Sequence, residues 1–285
     1  MTIPKVLGIF GHPVAHSLSP LMHNYAAKRL GLPFSYVAFD VEPDALKRAV
    51  ESIRALGIVG VNVTVPHKER AAELVDELLG DAAFTGSVNT ITNKNGKLVG
   101  TSTDGAGFLR ALKSAGINPA RKKVLMIGAG GSACSIGLSL LRAGVGELVV
   151  ANRSEEGGKK MIGLLSRFGE ISFVPSASPK APEHAASADI IVQTTPVGMK
   201  ASDPLPLAGI KFRKGQAVYD IIYAPERTKL LKLAEKQGAI TMNGLSMLVY
   251  QGSESFKTWT GKAFPGKEVL GYLKRLLREK SNGKN

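Results

Sequence analysis

Six residues near the middle of this 285-residue chain, Gly128-Ala129-Gly130-Gly131-Ser132-Ala133, have the spacing G-x-G-x-x-A. A hydrophobic, strand-like run precedes them and a helical pattern follows. In that setting the first glycine makes a tight turn and the second lets the backbone approach a pyrophosphate. The small third position lets helix and strand pack closely. Backbone N–H groups and the helix dipole then hold the phosphates. The next strand-like run ends Val149-Val150-Ala151-Asn152-Arg153-Ser154. An acidic residue there would bind the ribose 2′-hydroxyl of NAD. Asn152 followed by Arg153 offers a guanidinium instead, suited to paired charge-assisted bonds to a 2′-phosphate. These residues point to NADP and hydride transfer, although an exposed arginine at a strand end is also an ordinary surface feature. Cys134, on the same helix, reads as a small packing residue rather than a nucleophile.

The first half carries four polar clusters at predicted strand ends: Ser17-Leu18-Ser19-Pro20, Asn62-Val63-Thr64-Val65-Pro66-His67-Lys68, Ser87-Val88-Asn89-Thr90 and Ser102-Thr103-Asp104-Gly105. Taken singly, Ser19 and Asp104 read as helix N-caps and Asn89 as a turn residue. Lys68 stands at a helix start, where a cation opposes the dipole, and that placement suggests a role. His12 and His16 are four apart, but Pro13 between them prevents a helical metal pair, and no metal is assigned.

The elements that must position these residues follow from periodicity. Helices are expected at residues 19–30, 44–56 (capped by Asp44) and 67–79, the last with Ala71, Leu74, Val75 and Leu78 inward. Strands are expected at 34–41 and 59–65, and at 87–91 and 97–100 around the turn signal Asn95-Gly96. A helix at 104–115 leads into regular alternation: strands at 124–127, 147–151, 171–174, 190–193 and 217–221, helices at 132–142 and 155–168. Such alternation implies a parallel sheet with helices on both faces. Two final helices, 245–257 and 267–280, have no strand between them and are expected to pack back on the first domain. The fold class is therefore α/β. An N-terminal domain with a mixed, mainly parallel sheet spans residues 1–104 and is completed by 245–285, and a Rossmann-type NADP-binding domain spans 105–244.

Taken together and in order, these segments resemble the shikimate dehydrogenase family. His16-Ser17-Leu18-Ser19-Pro20, the Asn62–Lys68 and Gly86–Thr90 segments, Ser102–Gly105, the glycine loop, Asn152-Arg153-Ser154, Thr194-Thr195-Pro196-Val197-Gly198-Met199 and Gly244–Gly252 stand at family-like spacing across essentially the whole chain. The resemblance implies reversible NADPH-dependent reduction of 3-dehydroshikimate to shikimate, on the route to chorismate and the aromatic amino acids. It implies that Ser17 and Ser19 bind the substrate carboxylate, and that Thr64, Asn89, Asp104 and Gln251 bind its hydroxyls. Tyr223 would line the same pocket, and Lys68 and Asp104 would form the catalytic pair. On the cofactor side it assigns Gly128, Ala129, Gly130, Gly131, Ser132 and Ala133 to the pyrophosphate, and Asn152, Arg153 and Ser154 to the 2′-phosphate. Thr194, Thr195 and Pro196 would touch the cofactor, and Gly244 and Met247 would flank the nicotinamide. The chain departs from the family at Gly157, where many NADP-dependent relatives carry a second basic residue; either lysine of Lys159-Lys160 substitutes, or affinity for the 2′-phosphate is weaker.

Composition bounds the alternatives. One cysteine excludes an internal disulfide framework. No basic-then-apolar leader follows Met1, and no apolar run is long enough to span a membrane, so a cytoplasmic protein with a small-molecule substrate is expected. The net charge of +14 suggests nucleic acid, but the only concentration is in residues 262–285, with seven Lys/Arg against two Asp/Glu. Without aromatic interleaving this reads as a basic surface, and no nucleic-acid partner is expected. A quinate/shikimate dehydrogenase with relaxed cofactor choice is disfavoured by Ser17, Asn152 and Arg153. A non-catalytic dinucleotide-binding regulator is disfavoured by the presence of both Lys68 and Asp104. The sequence leaves monomer and homodimer open.

Overall fold

Apolar and β-branched runs alternate with short helices from the first described residue onward. The computed structural model describes residues 4–282, so Met1-Thr2-Ile3 and the end of the polar tail lie outside the described residues. The chain divides into two units, residues 1–107 with 248–285 and residues 108–247.

The first unit contains β1 (Lys5–Gly11), α1 (Ser19–Arg29), β2 (Phe34–Asp40), α2 (Leu46–Ala55), β3 (Gly60–Val63), α3 (Lys68–Ala72), β4 (Glu77–Leu78), α4 (Ala82–Thr85), β5 (Thr90–Lys94) and β6 (Lys97–Thr101). Its sheet has the order β2-β1-β3-β5-β6-β4. The β1–β2, β1–β3 and β4–β6 pairs are parallel, while β3–β5 and β5–β6 are antiparallel. The β5–β6 hairpin turns through Asn95 and Gly96, both at positive φ (55° and 92°), as a type I′ turn requires. Successive side chains of a strand face opposite sides. Phe10, Val61, Val63 and Ile91 thus pack with Leu46, Val50 and Ile53 of α2. On the other face, Leu7 and Ile9 pack with Tyr36 and Trp259.

Three local expectations are corrected here. The helix expected at 67–79 stops at Ala72, because residues 77–78 pair with β6 instead. The Asp76 carboxylate fixes that departure: it accepts from the Leu98 N–H (2.6 Å) and from Arg54 Nη2 through both oxygens (2.8 and 2.7 Å). Leu74, Val75 and Leu78 still pack inward, which explains the helical period they show. Ser19 is the first residue of α1 rather than its cap, and Ser17 Oγ accepts the Ser19 N–H (3.2 Å). Asp44 lies within a 3-10 turn, Pro43–Ala45, that leads into α2 without a side-chain cap.

Helix α5 (Asp104–Ser114) leads into the second unit: β7 (Lys123–Ile127), α6 (Gly131–Arg142), β8 (Glu147–Asn152), α7 (Glu155–Leu165), β9 (Ile171–Pro175), α8 (Lys180–Ser187), β10 (Ile190–Gln193), β11 (Ala217–Asp220), α9 (Lys229–Lys236) and β12 (Ile240–Met242). All strands are parallel, in the order β12-β11-β10-β7-β8-β9. This is the doubly wound dinucleotide-binding order, with the reversal between β7 and β10. The short α8 and α9 and strand β12 were not predicted. Helices α10 (Leu245–Thr260) and α11 (Gly266–Asn282) follow. No helix of the described residues is long and apolar enough to cross a membrane.

Candidate active site

Lys68 is placed by the residues on either side of it. Val65-Pro66 ends the run after β3, and the buried His67 ring bonds the Val41 carbonyl through Nε2 (2.6 Å). Since a carbonyl only accepts, that nitrogen carries the proton. The Lys68 carbonyl in turn accepts the Val88 N–H (2.9 Å), tying the start of α3 to the 87–90 segment. The Lys68 ammonium reaches Asp104 Oδ2 at 2.5 Å, and the two side chains are 13% and 5% exposed. Asp104 opens α5, where the helix dipole favours a carboxylate. Its other oxygen, Oδ1, accepts from Asn89 Nδ2 (2.8 Å).

Asn89 also donates toward Thr103 Oγ1 (2.9 Å) and Gln251 Oε1 (3.2 Å), and its own oxygen accepts the Thr103 N–H (2.9 Å). Gln251 is held from behind by the bond of Nε2 to the Leu248 carbonyl (2.9 Å). The first unit therefore brings Lys68, Asn89, Asp104 and Gln251 into one hydrogen-bonded cluster. Thr64, half-buried, stands at the turn before His67, its carbonyl accepting the His67 N–H (2.9 Å). Ser17 and the buried Ser19 form a turn at the start of α1, and the Ser19 hydroxyl bonds that of Tyr36.

In the second unit the glycine turn sits at the switch point between β7 and β10. Gly128 has φ of +110°, and a Cβ there would lie 2.5 Å from Thr194 Oγ1, so only glycine fits. Thr194 is pinned by its bond to the Ile127 carbonyl (2.7 Å), and the Thr195 N–H bonds Gln193 Oε1 (2.7 Å); Pro196 is exposed. Gly130 precedes α6 with open space around it, and no side chain caps that helix. The positive end of the helix dipole, at Gly131 and Ser132, suits an anion there, and buried Ala133 allows close helix packing. The residues present fit a bound dinucleotide.

Beyond β8, Asn152 Nδ2 bonds the Ser154 carbonyl (2.8 Å), and Ser154 Oγ caps α7 by accepting the Gly157 N–H (3.2 Å). Both side chains shape the turn that presents the exposed Arg153. Lys159, a candidate second cation, pairs with Glu155 (2.7 Å), which holds that carboxyl below its ordinary range. Tyr223 follows Asp220, whose buried carboxyl is pushed up to about 6 by desolvation. Bonds from the Ile222 N–H (3.0 Å) and Thr228 Oγ1 (2.7 Å) offset part of that shift. A Cβ on Gly244 would overlap the Ile221 carbonyl oxygen, and Met247 is buried nearby in sequence.

Sequence reasoning left out several residues behind the cluster: Tyr36, His67, Thr90, Thr103 and Ser255, and it gave no role to Asn62. Asn62, His67, Thr90 and Thr103 lay inside the motifs already singled out. Tyr36 and Ser255 carried no local signal, since each is one residue of an otherwise ordinary strand or helix.

A part-buried Lys–Asp pair at the strand ends of one α/β unit, and a glycine turn opening a helix at the switch point of another, define a dinucleotide-dependent oxidoreductase. The models "Shikimate dehydrogenase substrate binding domain", "Shikimate / quinate 5-dehydrogenase" and "Shikimate 5'-dehydrogenase C-terminal domain" match residues 9–91, 110–199 and 244–269. The NADP(+) shikimate dehydrogenase of Bacillus cereus (strain G9842) is 43% identical over 98% of this chain and 99% of its own length. Among solved structures, shikimate 5-dehydrogenase of Listeria monocytogenes, in complex with shikimate and NAD, has a TM-score of 0.85 at 34% identity. It covers 96% of this chain and 97% of its own. The Thermus thermophilus enzyme, in complex with NADP(H) and shikimate, has a TM-score of 0.82 at 34% identity, covering 95% and 99%. The chain belongs to the shikimate dehydrogenase family.

Proposed function

We propose that the protein catalyses the reversible NADPH-dependent reduction of 3-dehydroshikimate to shikimate, on the route to chorismate. The first unit is the substrate-binding and catalytic domain, and the second binds NADP. The observation that carries this reading is the Lys68–Asp104 pair, 2.5 Å apart, with Asn89 on the second carboxylate oxygen.

NADPH, held by the second unit, would supply the hydride for the substrate carbonyl carbon. Negative charge then develops on the carbonyl oxygen, and the Lys68 ammonium is the group that stabilises it and donates its proton. In the oxidative direction Lys68 accepts the hydroxyl proton. Asp104 holds the ammonium in place and accepts from a neighbouring substrate hydroxyl. Ser17 and Ser19 bind the carboxylate through their hydroxyl donors, which avoids burying a strong cation there. Thr64, Asn89 and Gln251 select the remaining hydroxyls, because an analogue lacking one would leave buried polar groups unpaired. Tyr223 contributes to the same recognition. Gly128 to Ala133 hold the pyrophosphate, and Asn152, Arg153 and Ser154 the 2′-phosphate. Thr194, Thr195, Pro196, Gly244 and Met247 border the rest of the cofactor. The enzyme works in the cytoplasm as a monomer or homodimer, without a nucleic-acid or membrane partner.

Steady-state turnover of shikimate and quinate with NADP+ and NAD+, all four pairs side by side, tests the reading. Shikimate with NADP+ is expected to give the highest kcat/KM. A preference for quinate, or no turnover of shikimate with either cofactor, would overturn it.

A further inference from the structure

The polar groups behind Asp104 do not end at Asn89. Asn89 Oδ1 meets Thr90 Oγ1 (2.9 Å), and Thr90 Oγ1 meets Ser255 Oγ of α10 (2.7 Å) and Asn62 Nδ2 (3.2 Å). Asn62 Nδ2 also reaches Ser255 Oγ and the Asn89 carbonyl, both at 3.0 Å, and Asn62 Oδ1 meets the Tyr36 hydroxyl at 2.7 Å. None of Tyr36, Asn62, Asn89, Thr90 and Ser255 is more than 4% exposed. We propose that Tyr36, Asn62, Thr90 and Ser255 form a positioning network that fixes Asn89 and, through it, the Asp104 carboxylate against Lys68. The proposal rests on the function assigned above.

Donor counting gives the network one direction. A carboxylate only accepts, so Asn89 must turn its NH2 to Asp104 and its oxygen to Thr90. Thr90 has one proton, and it goes to that oxygen. Toward Ser255 and Asn62 it therefore accepts. Ser255 donates to Thr90, its contact with the Gln251 carbonyl being longer at 3.3 Å. Toward Asn62, the Thr90 and Ser255 hydroxyls, whose protons are already committed, and the Asn89 carbonyl, which also takes the Val63 N–H (2.8 Å), can only accept; this sets the Asn62 amide with its NH2 inward and its oxygen toward Tyr36. Tyr36 must then donate. Its ring is stacked on His23 with centroids 4.3 Å apart, and burial raises its hydroxyl well above the ordinary value of 10, so the donated proton is retained. Buried networks of this kind specify one geometry when every member is satisfied, and a missing member releases its neighbours.

Removing the Tyr36 hydroxyl leaves Asn62 Oδ1 unpaired and frees the amide whose NH2 meets Thr90, Ser255 and the Asn89 carbonyl. The test compares Tyr36→Phe, Ser255→Ala and Ser255→Thr with the unmodified protein. It reads kcat, KM for NADP+, and exchange of the Thr103 N–H, which is bonded to Asn89 Oδ1. Tyr36→Phe and Ser255→Ala are expected to lower kcat for shikimate by about three- to tenfold, the scale of one hydrogen bond between neutral groups. Thr103 exchange should speed up, KM for NADP+ should not change, and Ser255→Thr should recover most of the kcat. Unchanged kcat and unchanged Thr103 exchange in folded Tyr36→Phe and Ser255→Ala would overturn the network. So would a loss of thermal stability with kcat intact, which makes the bonds structural only. The two failures are separable: an unmodified protein that does not turn over shikimate removes the assigned function, whereas Thr103 exchange judges the network without any turnover.

Discussion

His23→Phe should make the first unit less sensitive to acid. His23 lies wholly buried in α1 among Tyr36, Phe256, Trp259 and Phe264, and neither ring nitrogen has a hydrogen-bond partner among the described residues. Desolvation alone lowers its pKa from 6.5 to about 3. The folded state thus refuses a proton that the unfolded chain accepts below pH 6.5. Stability is fully present above that value and falls as pH drops from 6.5 toward 3. Between pH 7.5 and 5 the loss from this one group is about 2 kcal/mol by linkage. Asp220, in the second unit, works in the opposite sense. Its raised pKa penalises the folded state above about pH 6, and that penalty is relieved as pH falls toward 3.8. Comparing variant with unmodified protein cancels this second effect. The assay is urea unfolding at the two pH values, followed by the fluorescence of Trp259, the only tryptophan, whose ring centroid is 5.9 Å from that of His23. The stability difference between His23→Phe and the unmodified protein should grow in the variant's favour by about 2 kcal/mol on going to pH 5. The six-membered ring alters packing equally at both pH values, so only the pH dependence is diagnostic. A difference that stays constant with pH would refute the reasoning.

Two further outcomes concern ligands. Arg153→Ala should raise KM for NADP+ at least about tenfold, the worth of one charge-assisted bond, and leave NAD+ nearly unaffected; equal losses would show that Arg153 does not meet the 2′-phosphate. Ser17→Ala with Ser19→Ala should raise KM for shikimate strongly, each lost bond to a charged group being worth about 1.5–3 kcal/mol, while KM for NADP+ stands. An unchanged shikimate KM would remove the serines from the carboxylate site.

Much of the fold was legible because its signals are local. The alternation from residue 123 onward reads directly as a parallel sheet, and Gly128 declares itself because its positive φ and its approach to Thr194 admit no side chain. The motif residues Lys68, Asn89 and Asp104 were also visible, as polar groups at strand ends. What the sequence did not reveal depends on partners far along the chain. Residues 74–78 keep a helical period, yet Asp76 bonds Leu98 and Arg54, and residues 77–78 join a sheet. Ser19 looked like a cap because serine commonly is one, but Ser17 makes the local bond. Tyr36 and Ser255 belong behind the site only because β2 and α10 converge on Asn62, 26 and 193 positions away.

The central claim is that Lys68 transfers the proton and that Asp104 holds it in place. Measuring kcat and the shikimate KM for Lys68→Ala tests this most directly, with correct folding checked by Trp259 fluorescence. A positioned acid–base group contributes about 10²–10⁴-fold, so kcat should fall at least about a hundredfold with little change in KM. A retained kcat with a raised KM would make Lys68 a substrate-binding cation and contradict the account.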